Sequence, residues 1–361
     1  MATQFQNPAA ADAAAPIRKA SLADPGAAIL GPWRDALLFW GAPIVALLLV
    51  QSWVFGWNAF APPRLATGAM IGLFGAIMVL TWAHLIAVVP RAYFNPDVFG
   101  AYRKRLTVVP AALVAALLVS PTALAVAGVV AVLWDVHHSA MQNFGFARIY
   151  DMKAKNPPHM LRATDLRLNW MLYVGPIAAG ASLVAHAELA GKEPHDGLAW
   201  LASAPGMLAT QHDTIRVVAI LAYVAVIMWT VIDYARAMRA GYRPPPHKLA
   251  TIAVSGAVSV LAWGFSPPII AFASINLHHA VQYFALVWAK EGVRLEGHPI
   301  FSGRGRPLAA IVIGGGCLIF GLGYAASASG QPGWLLAPFV ACSLLHFWYD
   351  SFVWSVRKRQ V

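Results

Sequence analysis

The residues of this chain best suited to chemistry are histidines. Twelve are present, and six of them, His84, His137, His138, His278, His279 and His346, fall inside long apolar stretches. Neutral imidazole is the commonest biological metal ligand and can bind an ion without burying a charge of its own. Polar residues follow at a spacing of four: Gln142 after His138, Gln282 after His278 and Asp350 after His346. That spacing places both members of a pair on one helix face. Asp135 precedes His138 by three and Asn276 precedes His279 by three, adding oxygen acceptors on or near the same faces. A ligating histidine usually donates its other ring N–H to a carboxylate, carbonyl or water, and Asp350, Asp135, Gln142 and Gln282 are the expected acceptors.

A donor set of imidazole and carboxylate without thiolate suits iron, copper or zinc. One or two iron ions are the expected occupants, with haem held axially by two of the histidines as the alternative. The six histidines are the expected ligands. Asp350 is expected as a further ligand or a base, and Asp135, Gln142 and Gln282 as orienting groups. Adjacent rings in each His-His pair diverge by about 100°, so one can bind an ion while the other bonds a neighbouring helix. The two cysteines, Cys317 and Cys342, lie in apolar segments and offer neither a disulfide framework nor a thiolate site. His159, His186, His195, His212, His247 and His298 sit at segment ends or in loops and are expected at the interface.

The elements that carry these residues are set by composition. Of 361 residues 59% are hydrophobic and only 11% charged, less than half the roughly 25% charged of a soluble domain, which excludes a soluble enzyme. Apolar runs long enough to cross a hydrocarbon core of roughly 30 Å predict an all-α, polytopic bundle. Ten spans are predicted, near 36–57, 66–89, 106–120, 122–147, 166–189, 215–236, 248–264, 267–289, 307–327 and 333–355. The third and seventh are short and precede Ser120-Pro121 and Ser266-Pro267-Pro268, so either could be half of one kinked helix. Residues 1–33, Ala-rich and broken by proline, lack a compact signal-peptide core and are expected as a mobile cytoplasmic tail. Residues 34–361 are expected to form one transmembrane domain.

Of the 26 Lys and Arg, all but Arg64, Lys192 and Arg216 fall on one side of the ten-span arrangement. The net charge of +11 is therefore read as a topology signal rather than a nucleic-acid surface. Both termini are expected in the cytoplasm, of the bacterial inner membrane. The histidine-bearing spans are all even-numbered and hence parallel. His138 precedes Arg148 by ten positions, His279 precedes Lys290 by eleven and His346 precedes Arg357 by eleven, roughly 15 to 17 Å at helical rise. His84, seven before Arg91, is expected about one turn away from that layer. The strings His-His-Ser-Ala-Met-Gln-Asn-Phe and His-His-Ala-Val-Gln-Tyr-Phe look like variants of one internal repeat. The loop near 190–214, with Glu193, His195, Asp196, His212 and Asp213, is expected to be solvated.

A histidine-rich multi-span scaffold resembles the integral-membrane fatty acid desaturases and hydroxylases. Here the His-His pairs stand without those enzymes' companion histidine three to five residues earlier. The deep placement on several helices also resembles the bacterial membrane β-carotene 15,15'-dioxygenase type, and the likeness implies a non-haem iron within the bilayer. The string Trp134-Asp135-Val136-His137-His138 is similar to the paired-histidine copper ligands of haem-copper oxidases. The expected function is a metal-dependent oxidoreductase that uses O₂ to hydroxylate, desaturate or cleave a lipophilic substrate, with membrane lipids around it. A hydroxylase or desaturase would also need an electron donor. A haem or quinone electron carrier and a transporter with a histidine proton relay are the alternatives.

Overall fold

The computed structural model describes residues 21–54, 68–180, 182–191, 203–301, 305–327 and 333–354. The expectations for the tail up to residue 20, for Arg64, for Lys192, Glu193, His195 and Asp196, and for Arg357 to Arg359 lie outside the described residues. Those described are helical, with no strand among them. In chain order the helices are α1 (Pro32–Gln51), α2 (Gly68–Ala83), the short α3 (Val89–Tyr93), α4 (Pro96–Val119), α5 (Pro121–Lys153) and α6 (Arg162–Ala179). They continue as α7 (Ser182–Gly191), α8 (Ala204–Arg239), α9 (Pro246–Phe265), α10 (Pro268–Glu296), α11 (Gly305–Ser327) and α12 (Gly333–Val353).

Eight of these are long and apolar enough to cross a membrane, or nine if α6 and the start of α7, bent by 88°, count as one span. The protein is a multi-pass membrane protein. The expected ten spans are thereby corrected. The third falls in α4, whose first half carries Asp97, Arg103, Lys104 and Arg105, non-helical backbone at Tyr102 and, further on, Pro110. That much charge removes it from the membrane-spanning set. The two doubtful hairpins are resolved as pairs of separate helices. Ser120 (φ −129°, ψ 103°) and Ser266 (φ −108°, ψ 156°) are extended, and Pro121 and Pro268 open the helices that follow. The Ser120 hydroxyl caps α5 by accepting from the Ala123 amide at 3.1 Å.

α10 is the central helix and is buried along most of its length, whereas α8 is mostly exposed and presents its flank to lipid. A polar seam joins α10 to α5. Asn276 Nδ2 donates to Asp135 Oδ2 (3.3 Å), His138 and His279 meet through Nε2 (3.1 Å), and Gln142 Nε2 donates to Gln282 Oε1 (3.1 Å). Residue numbers rise together along these rungs, so the two helices run parallel in register, and the repeated His-His strings face each other. Polar residues inside a bilayer are retained where they face a bundle interior, and here each satisfies another.

One end of the bundle is tied by ions. The Lys248 ammonium, wholly buried on α9, donates to Asp151 (2.7 Å) and Asp165 (2.6 Å), and Arg148 reaches the same carboxylates at 2.8 Å each. Tyr242 donates to Asp151 (2.7 Å) and Tyr234 to Asp165 (2.6 Å). Burial, reinforced by the Asp151 carboxylate, holds the Tyr242 phenol well above its ordinary pKa, so it stays a donor at neutral pH. Two cations against two carboxylates leave no net buried charge, while α5, α6 and α9 are locked together. Nearby, Arg91 pairs with Glu291 of α10, donates to the Val353 carbonyl of α12 (3.2 Å) and lies 4.8 Å over Trp354. The contact fixes the end of α12 that bears Asp350.

Candidate metal centre

Four of the six predicted histidines come together. His84, His138, His279 and His346 are all buried, and each offers a ring nitrogen within 4.8 Å of the others'. The imidazoles form a closed cycle of near-perpendicular neighbours. Ring centroids are 5.0 Å apart for His84–His279, 4.8 Å for His279–His138, 4.8 Å for His138–His346 and 5.0 Å for His346–His84. Each ring comes from a different helix or its end, so the cycle exists only when α2, α5, α10 and α12 are assembled.

Local chain geometry explains each position. α2 stops at Ala83 and a 3₁₀ turn, His84–Ile86, follows, so His84 joins the group instead of standing a turn away as its sequence position predicted. α11 crosses α2 at this point, and a Cβ on Gly321 would run into the Val79 carbonyl and lie 3.1 Å from the Ala83 amide. Only glycine allows that approach, which seats the end of α2 against its neighbour. The His84 Nδ1 bonds the Thr81 carbonyl. In the tautomer that bond requires, Nε2 is left as a lone-pair donor, and it is buried with no partner. His346, also completely buried, has only the Leu85 backbone as a neighbour for one ring nitrogen, which leaves the other without a hydrogen-bond partner. A buried polar atom without a partner costs about 1 to 3 kcal/mol, so nitrogens like these ask for a ligand.

Asp350 stands at the edge of the cycle. Its Oδ2 is 3.8 Å from both His138 Nε2 and His346 Nε2, while Oδ1 accepts from the Tyr283 hydroxyl (2.7 Å) and the Trp354 indole (3.2 Å). Tyr283 also packs on His346, with centroids 4.7 Å apart. Sequence reasoning missed its role, although Tyr283 follows His279 by four and Trp354 follows Asp350 by four, the same spacing that singled out the glutamines. Removing the phenol oxygen with Tyr283→Phe leaves the Trp354 indole as the remaining side-chain donor to Asp350 Oδ1. If an ion is held here, its affinity is expected to fall about 10- to 100-fold, as for other outer partners of metal ligands, read by competition with a chelator. An unchanged affinity would mean that Asp350 plays no part in the site.

The remaining predicted residues lie outside the cycle. His137 points away, and its Nδ1 accepts from Trp170 Nε1 at 2.9 Å. His278 bonds the Ser274 carbonyl of its own helix through Nδ1 at 3.1 Å. The divergence of adjacent helical side chains separates each pair into one member inside and one outside. Gln142 donates to Gln282 and to the His279 carbonyl (3.3 Å), Gln282 donates to the Phe39 carbonyl (3.2 Å), and Asp135 pairs with Asn276. These three brace helix against helix, and none holds an imidazole N–H. His247, expected at the interface, is instead fully buried between Tyr150 and Trp40.

The donor set fits a transition-metal ion. Four imidazoles with a carboxylate alongside, and no cysteine among them, is the chemistry of iron, copper or zinc. Nitrogens bound at roughly 2.0 to 2.1 Å in a tetrahedral shell lie roughly 3.3 Å apart, near the 3.1 Å between His138 and His279. No protein-family model, curated protein or solved structure matches this chain.

Proposed function

We propose that the protein is a membrane-embedded, metal-dependent oxidoreductase that uses O₂ on a lipophilic substrate, as a hydroxylase, desaturase or dioxygenase. The observation that carries this reading is the closed cycle of four buried imidazoles, contributed by four helices and left with unpartnered nitrogens. His84, His138, His279 and His346 would hold the ion, with Asp350 as a fifth oxygen donor or a base. Iron is the proposed metal because imidazole and carboxylate together suit it. Once bound it would supply O₂ reduction beside the substrate's hydrocarbon. The chain's own part is to orient the rings, through Thr81 on His84 and through Tyr283 and Trp354 on Asp350, and to keep water out by burial. Apolar substrates and O₂ both partition into hydrocarbon, whereas a charged metabolite would first need a polar cavity. The imidazole rings touch one another and leave no planar slot for a porphyrin, which favours an ion over haem.

A location in the bacterial inner membrane with both termini in the cytoplasm, and an electron donor in the hydroxylase or desaturase case, belong to the same proposal. Elemental analysis with an optical spectrum of detergent-purified protein tests it: about one iron per chain and no Soret band are expected. A second reading, a transporter with a histidine relay, draws on the 3.1 Å contact of His138 and His279, which becomes a hydrogen bond when one ring carries the proton. Protein with no bound metal, together with histidine variants that lose transport, would favour it.

A further inference from the structure

We propose that a groove at the junction of α4, α5 and α12 binds the single hydrocarbon chain of a fatty acyl lipid and delivers it to the histidine cycle. The groove is a shallow trough, open along most of its length, with about 560 Å³ of space beside its walls. Its walls include Leu113 and Leu117 of α4, Ala123 and Ala127 of α5 and Leu344 of α12. The break at Ser120-Pro121 creates it, because α4 and α5 diverge there as separate helices instead of continuing as one. Around the groove Leu118, Val119, Val126 and Val130 are exposed, which in a multi-pass membrane protein means a side open to lipid.

Two features separate this groove from ordinary lipid-facing surface. Its only hydroxyls, those of Ser120 and Thr122, sit together at the end remote from the histidines, where a lipid's polar end can hydrogen-bond. At the other end Val130 is followed on α5 by Trp134 and His138 at spacings of four. Trp134 packs on Phe347 with centroids 6.2 Å apart, and Phe347 lies 4.7 Å from His138. One aromatic pair therefore divides the groove from the cycle. Twelve residues from Thr122 to Trp134 span about 18 Å of helix, comparable to the roughly 15 Å half-thickness of a hydrocarbon core that one lipid chain fills. An apolar chain with one polar end matches the lining at both ends. This inference rests on the proposed oxidoreductase only for what happens to the chain once it arrives.

The test uses full-length protein in phosphatidylcholine vesicles with palmitic acid carrying a photoactivatable diazirine at its terminal carbon. Cross-links are mapped by mass spectrometry, and metal content is read on the same sample. Labelling of Val130, Trp134 and Phe347 is expected to exceed that of α8, the lipid-facing control, by about tenfold, equivalent to about 1.4 kcal/mol of preference. Val126→Trp at the exposed mouth, and separately Ala123→Leu inside, should remove that excess while leaving α8 labelling and metal content unchanged. Equal labelling of groove and α8, or an excess that survives both substitutions, overturns the proposal. Metal-free protein that keeps the excess supports the groove and defeats the oxidoreductase reading alone, so the two fail separately.

Discussion

Substituting Ala for His138 is expected to empty the proposed metal centre, weakening iron binding by more than about 100-fold, beyond the roughly 10- to 100-fold seen when mere outer partners of ligands are removed. His138 is the most connected member of the cycle. Its Nε2 lies 3.1 Å from that of His279 and 3.8 Å from Asp350, and its ring neighbours His346 at 4.8 Å. Losing it opens the cycle between His279 and His346, the two rings it bridges. The informative control is the adjacent residue. His137→Ala changes the same kind of side chain one position away, but His137 serves Trp170, so metal content should stay at the wild-type level. A packing role for the histidines would make the two variants alike, with no metal in either.

Lys248→Met is expected to destabilise the protein by about 3 to 5 kcal/mol, the usual cost of removing one member of a buried ion pair. The ammonium is fully buried between Asp151 and Asp165, and without it Arg148 alone must balance two carboxylates. The measurement is the thermal midpoint in detergent. The double variant Lys248→Met with Asp165→Asn restores the charge balance and should recover part of the loss. If the single variant melts with wild type, the network contributes little and α5, α6 and α9 are held by apolar packing instead.

The histidine layer was legible in the sequence because depth along a helix is a count of residues from a charged boundary. His138, His279 and His346 stand ten or eleven positions from such boundaries, and all three enter the cycle. The parallel direction of α5 and α10 followed from their even-numbered spans, whereas their rung-by-rung pairing came only with the contacts of Asn276, His279 and Gln282. His84 was placed a turn off because counting assumes an α-helix, whereas the chain tightens into a 3₁₀ turn at that residue. Which member of each histidine pair faces inward depends on helix rotation, and rotation is set by tertiary contacts: Trp170 for His137, and the seam with α5 for His279. The third span was overcounted because its apolar half hides a charged first half in the same helix. The close approach at Gly321 could not be foreseen, since one glycine in an apolar run carries no sign of what crosses it.

The most direct measurement of the central claim is X-ray absorption at the metal edge on purified wild-type protein. The account expects a shell of nitrogen and oxygen donors at roughly 2.0 to 2.2 Å with the outer-ring scattering of about four imidazoles and no sulfur. A spectrum without imidazole scattering, or protein that binds no metal at all, would contradict it.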